Sequence, residues 1–298
     1  MLGHLRVKNP FKQLLILIAV FSPQLLILIF AAVMAQQAEI KVDEINISAD
    51  KMKFLQGFYS VTFFFLPAFL YAVFVFTGKY FWFLGFKPAQ KSNMYLLAPI
   101  TIVAALFFAF WLGQLNARIP LPNWMKLMEE NTSKQMNEFL KVRDWTDVLM
   151  NIIVIALIPA ICEEIFFRGA VQRVMIHLTK RPWWGIIITA FFFSALHMQF
   201  EGFLPRMFLG LVLGALYWYS GSLWVCILAH FVNNGIQVIW VSLFPDNANS
   251  NPMIPFWVTL LSGIIVAVLL YVYRSQSNST YAKVYEPDSL HRDSQYIA

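Results

Sequence analysis

The sequence predicts an all-α fold, a polytopic membrane helix bundle of about eight transmembrane helices. Of its 298 residues, 59% are hydrophobic and only 13% charged, and the mean hydropathy is +0.62. A soluble domain carries about 45–50% apolar and about 25% charged residues, so cytosolic, collagen-like and disordered classes are excluded. Crossing the hydrocarbon takes about 20 apolar residues per helix, and the apolar content fills roughly eight such lengths.

Taken in order, the first span runs about Leu14–Ala35 behind Arg6, Lys8 and Lys12. A basic start ending in Val33-Met34-Ala35 has the outline of a signal peptide. The apolar stretch is nevertheless longer than the usual h-region of about 7–15 residues, which favours a retained anchor. Further spans read at Phe54–Thr77, Tyr95–Leu115, Val148–Phe167, Trp183–His197, Leu204–Tyr219, Leu223–Phe244 and Phe256–Tyr273. Pro182, Pro205, Ser220-Gly221-Ser222 and Pro245 punctuate their ends. Segment 116–147 mixes basic and acidic residues with Trp124, Met125, Leu127 and Met128, as an amphipathic helix on the outer surface would. Residues 1–273 thus form one transmembrane domain, and the polar, Ser- and Tyr-rich 274–298 is expected to be a disordered cytoplasmic tail.

A net charge of +6 and a pI of 9.3 would also suit a nucleic-acid binder. The basic residues cluster at span ends instead, and with both termini inside, 13 of the 22 Lys and Arg fall on the inner side. That bias orients the chain with cytoplasmic termini and calls for no nucleic acid. Cys162 and Cys226 both lie in apolar segments, so no disulfide framework is expected. Compactness and the absence of organelle signals point to a bacterial cytoplasmic membrane.

Ionisable residues inside spans are costly, about 2.5–3.5 kcal/mol at a helix centre, and persist where they face a protein interior or a water-filled cavity. Such residues are expected in three places: Glu163-Glu164 with Arg168, then His197, then His230 with Asn233 and Asn234. Glu164 and Arg168 stand at i and i+4 with the acid first, the favourable order for an ion pair. Glu163 points about 100° away and has Phe167 at its own i+4 position. One carboxylate is therefore neutralised within its helix, and the other is left to face a partner. A register-fixing ion pair accounts for only one of the two glutamates. His230 and Asn234 share a helical face, and an imidazole N–H beside an amide NH₂ can hold an oxyanion. Interhelical hydrogen bonding is the plainer use of either residue. His4, His177 and His291 lie in polar ends or a basic loop. The chain has no H-E-x-x-H, no G-x-S-G serine site and no pair of intramembrane aspartates.

Glu-Glu-x-x-x-Arg, Phe-x-x-x-His and His-x-x-x-Asn, each on its own span, resemble the CAAX protease and bacteriocin-processing family of intramembrane proteases. The motifs stand here as Glu163, Glu164 and Arg168, then Phe193 and His197, then His230 and Asn234, within about residues 145–240. The resemblance implies an eight-helix bundle with a cavity open to the cytoplasm. Glu163 and His197 would activate a water, His230 and Asn234 would hold the oxyanion, and Glu164 and Arg168 would support them. It also implies an endopeptidase acting near the C-terminus of a hydrophobic or lipidated peptide or protein, with membrane lipid around it. A second version makes Glu163, His197 and His230 ligands of a catalytic zinc. Asn234 beside His230 suits a donor pair better, so no cofactor is expected. Two other classes stay open from the residues alone. One is a proton-coupled transporter or channel using Glu163, His197 and His230 as a relay. The other is a catalytically silent membrane protein of bacteriocin-immunity type.

Overall fold

Apolar chain in lipid must satisfy its own backbone N–H and C=O groups, and a single helix does so. The computed structural model describes residues 5–37, 48–140, 142, 144–244 and 252–285, and these contain eleven helices and no strand. They are α1 Pro10–Gln37, α2 Ala49–Val75, α3 Tyr80–Leu84, α4 Met94–Asn116, α5 Asn123–Leu140 and α6 Trp145–Thr179. After these come α7 Pro182–Ala195, α8 Phe203–Ser220, α9 Leu223–Leu243, α10 Phe256–Ser275 and α11 Tyr281–Tyr285.

Six of these, α1, α2, α4, α6, α9 and α10, are long and apolar enough to cross a membrane, which makes the chain an integral multi-pass protein. The other two expected spans are helices of a different kind. With 14 residues, α7 is about 21 Å long and falls short of a hydrocarbon core about 30 Å thick. The slightly longer α8 has 18 residues and carries Arg206 near its start. Large apolar side chains cover the outer faces, among them Leu26, Ile27 and Phe30 on α1 and Leu260, Ile264 and Val268 on α10.

The centre of the bundle is α6, which packs against α7, α8 and α9, with α2 on its other side. The buttress behind α8 and α9 is α4, with α10 beyond it. Two wide π turns mark where prolines enter: Val61–Phe65 ahead of Pro67 and Ile152–Leu157 ahead of Pro159. A proline ring collides with the carbonyl four residues back and supplies no N–H. The residue before each proline bonds five back instead, Leu66 N–H to the Val61 carbonyl and Ile158 N–H to that of Ile153. A third π stretch, Ile165–Gln172, contains no proline and follows directly on Glu163 and Glu164. Wide turns of this kind recur at functional sites.

The helix expected within 116–147 is present, and two other sequence expectations change. That helix spans 123–140 and lies against α2 and α9. The tail has structure through Tyr285, because its aromatics find partners on α6. Tyr285 donates to the Arg173 carbonyl at 3.1 Å and stacks on His177, while Val284 is buried. Residues 286–298, His4, His291 and Pro245 lie outside the described residues. Finally, buried ionisable groups occupy more than three places. Helices α2 and α6 begin earlier than the spans read from hydropathy, and so bring Lys53 and Asp147 into the bundle as a 3.1 Å ion pair.

Candidate active site

Glu163 and Glu164 sit side by side on α6 where its turns begin to widen. Both are buried, and their surroundings divide as the helix geometry predicts. Glu164 Oε1 accepts from Arg168 Nη1 at 2.8 Å, both side chains being wholly buried. The same oxygen stands 2.8 Å from His230 Nδ1. A carboxylate paired with arginine only accepts, so the proton in that contact belongs to Nδ1. The sequence reading gave Glu164 one partner, and the structure gives it two.

Glu163 turns the other way. Its Oε2 is buried with no hydrogen-bond partner, 3.8 Å from His197 Nε2 and 3.9 Å from His230 Nε2. Both separations exceed a direct hydrogen bond and suit a bridge through one water. His197 lies on the turn after α7, and its Nδ1 is 2.6 Å from the Phe193 carbonyl. A carbonyl cannot donate, so Nδ1 holds the proton and Nε2 presents its lone pair to Glu163. Phe193 fixes the spacing: its ring meets His197 edge-on at 4.9 Å and His230 at 5.8 Å, and the Arg168 guanidinium lies over it at 4.8 Å.

Asn234 is one turn beyond His230 on α9. Its Oδ1 accepts from Asn233 Nδ2 at 3.0 Å, which leaves its amide NH₂ as the group it can offer. No hydrogen bond joins Asn234 to Glu163, His197 or His230 among the described residues.

The support behind the glutamates comes from α8. Arg168 Nη2 donates to the Gly210 carbonyl at 3.2 Å, and Gln172 Nε2 donates to the Gly214 carbonyl at 3.0 Å. An added Cβ at Gly214 would stand 2.8 Å from Gln172 Oε1, so glycine is what lets α8 come this close to α6. The turn bearing His197 is held from α4. Buried Asn116 donates to the Phe200 carbonyl at 2.8 Å and accepts from the Leu204 N–H at 2.8 Å.

Glu163, His197 and His230 are the donor set that a zinc ion would use. Ligands about 2.0–2.1 Å from a tetrahedral zinc lie roughly 3.3 Å from one another, about half an ångström closer than these atoms. Among the described residues no group of three or more His, Cys, Asp or Glu is arranged to hold a metal.

Sequence reasoning missed Arg206, Asn116, Gln172 and the Lys53–Asp147 pair. A charged residue at the start of an apolar span was a visible signal for Arg206. Nothing local could have paired Lys53 with a residue 94 positions away.

The fold and these residues define an integral multi-pass membrane protein with a buried ionisable centre. Within that class, residues 145–236 match the family model described as type II CAAX prenyl endopeptidase, Rce1-like, a peptidase family. The match runs from the start of α6 into α9 and takes in all three motifs read from the sequence. No curated protein and no solved structure matches the chain.

Proposed function

We propose that the protein is an intramembrane endopeptidase that hydrolyses a peptide bond near the C-terminus of a hydrophobic or lipidated substrate, using a water activated by Glu163 and His197. The observation that carries the reading is Glu163 Oε2. It is a buried carboxylate oxygen without a hydrogen-bond partner, facing two imidazole nitrogens at 3.8 and 3.9 Å. A water bridging Glu163 Oε2 and His197 Nε2 gives up a proton to the carboxylate as its oxygen bonds the peptide carbonyl carbon. The carbonyl oxygen becomes an oxyanion. Asn234 Nδ2 donates to it, beside the His230 ring that Glu164 holds through Nδ1. Collapse breaks the C–N bond, and Glu163 returns the proton to the leaving amine. Glu164 and Arg168 act through His230, whose ring they orient.

The wide spacing of Glu163, His197 and His230 favours this metal-free version over zinc. A family match to peptidases also favours chemistry over a proton relay. The membrane we propose is a bacterial cytoplasmic one, with both termini inside. The test uses purified full-length protein, a prenylated reporter peptide and mass spectrometry in water enriched in ¹⁸O. One ¹⁸O should enter the new carboxylate, and dialysis against a strong chelator should leave the rate intact. No cleavage would overturn the peptidase reading. Loss of activity to chelator with recovery on adding zinc would make Glu163, His197 and His230 metal ligands.

A further inference from the structure

Arg206 is a cation beside the site that the water-activating groups do not use. Two hydrogen bonds fix its level. Arg168 donates to Gly210 and Gln172 to Gly214, so α6 and α8 run side by side in the same direction, paired at a constant offset of 42 residues. That offset puts Arg206 opposite Glu164, one turn beyond the Arg168–Gly210 contact. From there the guanidinium reaches the turn that carries His197. Its Nη1 donates to the Gln199 carbonyl at 3.3 Å and its Nη2 to Gln199 Oε1 at 2.8 Å. Gly202 makes room for it, since a Cβ there would lie 2.3 Å from Nη2.

No carboxylate of the described residues forms a salt bridge with Arg206. Glu163 and Glu129 are near enough to feel its charge, but Glu129 commits Oε1 to the Glu201 N–H at 3.0 Å. A guanidinium carries five N–H groups in a rigid fork matched to a carboxylate. Gln199 takes two of them and neutralises no charge. An arginine held near the level of the proposed base, with donors to spare and no salt bridge among the described residues, is built for an anion that arrives with the substrate.

We infer that Arg206 receives the free C-terminal carboxylate of the substrate. The inference rests on the peptidase reading and narrows it to chains cleaved close to their end. A C-a-a-X chain ends three residues beyond its prenylated cysteine. Three extended residues span about 10 Å, so the terminal carboxylate must find its cation close to the scissile bond. Arg206 is tied to Gln199, two residues along the turn from His197, which keeps it in the neighbourhood of the water-activating groups.

The experiment compares two prenylated peptides that differ only in ending as a free acid or a carboxamide. Wild type should favour the acid by about 10- to 100-fold in kcat/KM, chiefly through KM, the usual worth of a charge-assisted hydrogen bond. Arg206→Met should bring the acid-to-amide ratio near one. Arg206→Lys should keep part of the preference, and Gln199→Ala, which removes only the side-chain tether, should keep most of it. Equal cleavage of both peptides by wild type overturns the inference alone. So does an Arg206→Met enzyme that slows both in the same proportion, since Arg206 then merely braces Gln199. If Arg206→Met does not fold, the wild-type and Arg206→Lys ratios decide. Cleavage of neither peptide by wild type overturns the peptidase reading and this inference with it.

Discussion

Among the described residues, two buried ion pairs between acidic and basic side chains, Lys53–Asp147 and Glu164–Arg168, do different work. Lys53–Asp147 joins α2 to the first turn of α6, at 3.1 Å. Glu164–Arg168 lies within α6 at 2.8 Å, but its shared oxygen also holds His230, and its neighbour Glu163 keeps an oxygen without a partner. Removing two charges from water carries a penalty of several kcal/mol per ion, so neither pair is there because ion pairs stabilise. The first ties two helices together. The second fixes an imidazole next to a carboxylate that is left free to react. A buried charge marks a site when part of its bonding capacity is left open.

The largest effect expected from that distinction is on turnover. Glu163→Gln keeps shape and removes the basic oxygen, and should lower turnover by about 10²–10⁴, the usual worth of general acid–base catalysis. Its melting temperature should hold or rise, because one buried charge is gone. Near-normal cleavage in Glu163→Gln, with a stable but inert Glu164→Gln, would invert the assignment.

Next comes the stability of the paired glutamate. Glu164→Gln leaves His230 an acceptor but strands Arg168, and breaking a buried pair costs about 3–5 kcal/mol. Arg168→Met should melt early for the same reason, and the double variant should recover part of the loss if the two are coupled. Additive losses in one detergent would mean that they are not.

The contrast also explains what the sequence could show. Glu164–Arg168 was legible because helix geometry puts i and i+4 on one face, and the same geometry separated Glu163 from its neighbour. His197 and His230 were legible as imidazoles where lipid should forbid them. Their approach to Glu163 depends on how α7 and α9 lean on α6, which no local spacing encodes. Hydropathy found every long apolar helix and bounded α7 within two residues, but counted a 14-residue helix as a full span. It also began α2 and α6 too late. Lys53 and Asp147 look like loop residues until each supplies the other's partner. The tail failed in the opposite way, since Tyr281 and Tyr285 read as polar residues until α6 offers them carbonyls.

Lys53→Met should therefore act on stability and spare the chemistry, which makes it the control for Glu164→Gln. With side chains 3% and 6% exposed, this pair is buried enough that losing one partner should cost about 3 kcal/mol. Cleavage per folded molecule should stay within a few-fold of wild type. Lys53→Met paired with Asp147→Leu should regain stability. A large fall in turnover at unchanged melting temperature would place Lys53 in the site and erase the contrast.

The smallest effect lies at the start of α6, where a charge is exposed instead of buried. Asp144 caps the helix: its Oδ1 accepts from the Thr146 N–H at 2.9 Å and the Asp147 N–H at 3.1 Å, and from the Thr146 hydroxyl. The Thr146 hydroxyl first, then the backbone N–H groups, hold the carboxyl below its ordinary value of 3.8. A carboxyl that ionises more readily in the folded state adds stability in its ionised form. That contribution is complete above 3.8 and disappears as the pH falls through the lower, folded value. Asp144→Asn still caps the helix but carries no charge to meet the positive end of the helix dipole. Wild type should melt above Asp144→Asn at neutral pH by a small and constant margin, and the two should converge as the pH is taken below 3.8. Melting curves for both proteins in one detergent, stepped down in pH, measure that margin directly. A margin that stays the same below 3.8 would mean that the charge contributes nothing and that the cap works through its hydrogen bonds alone.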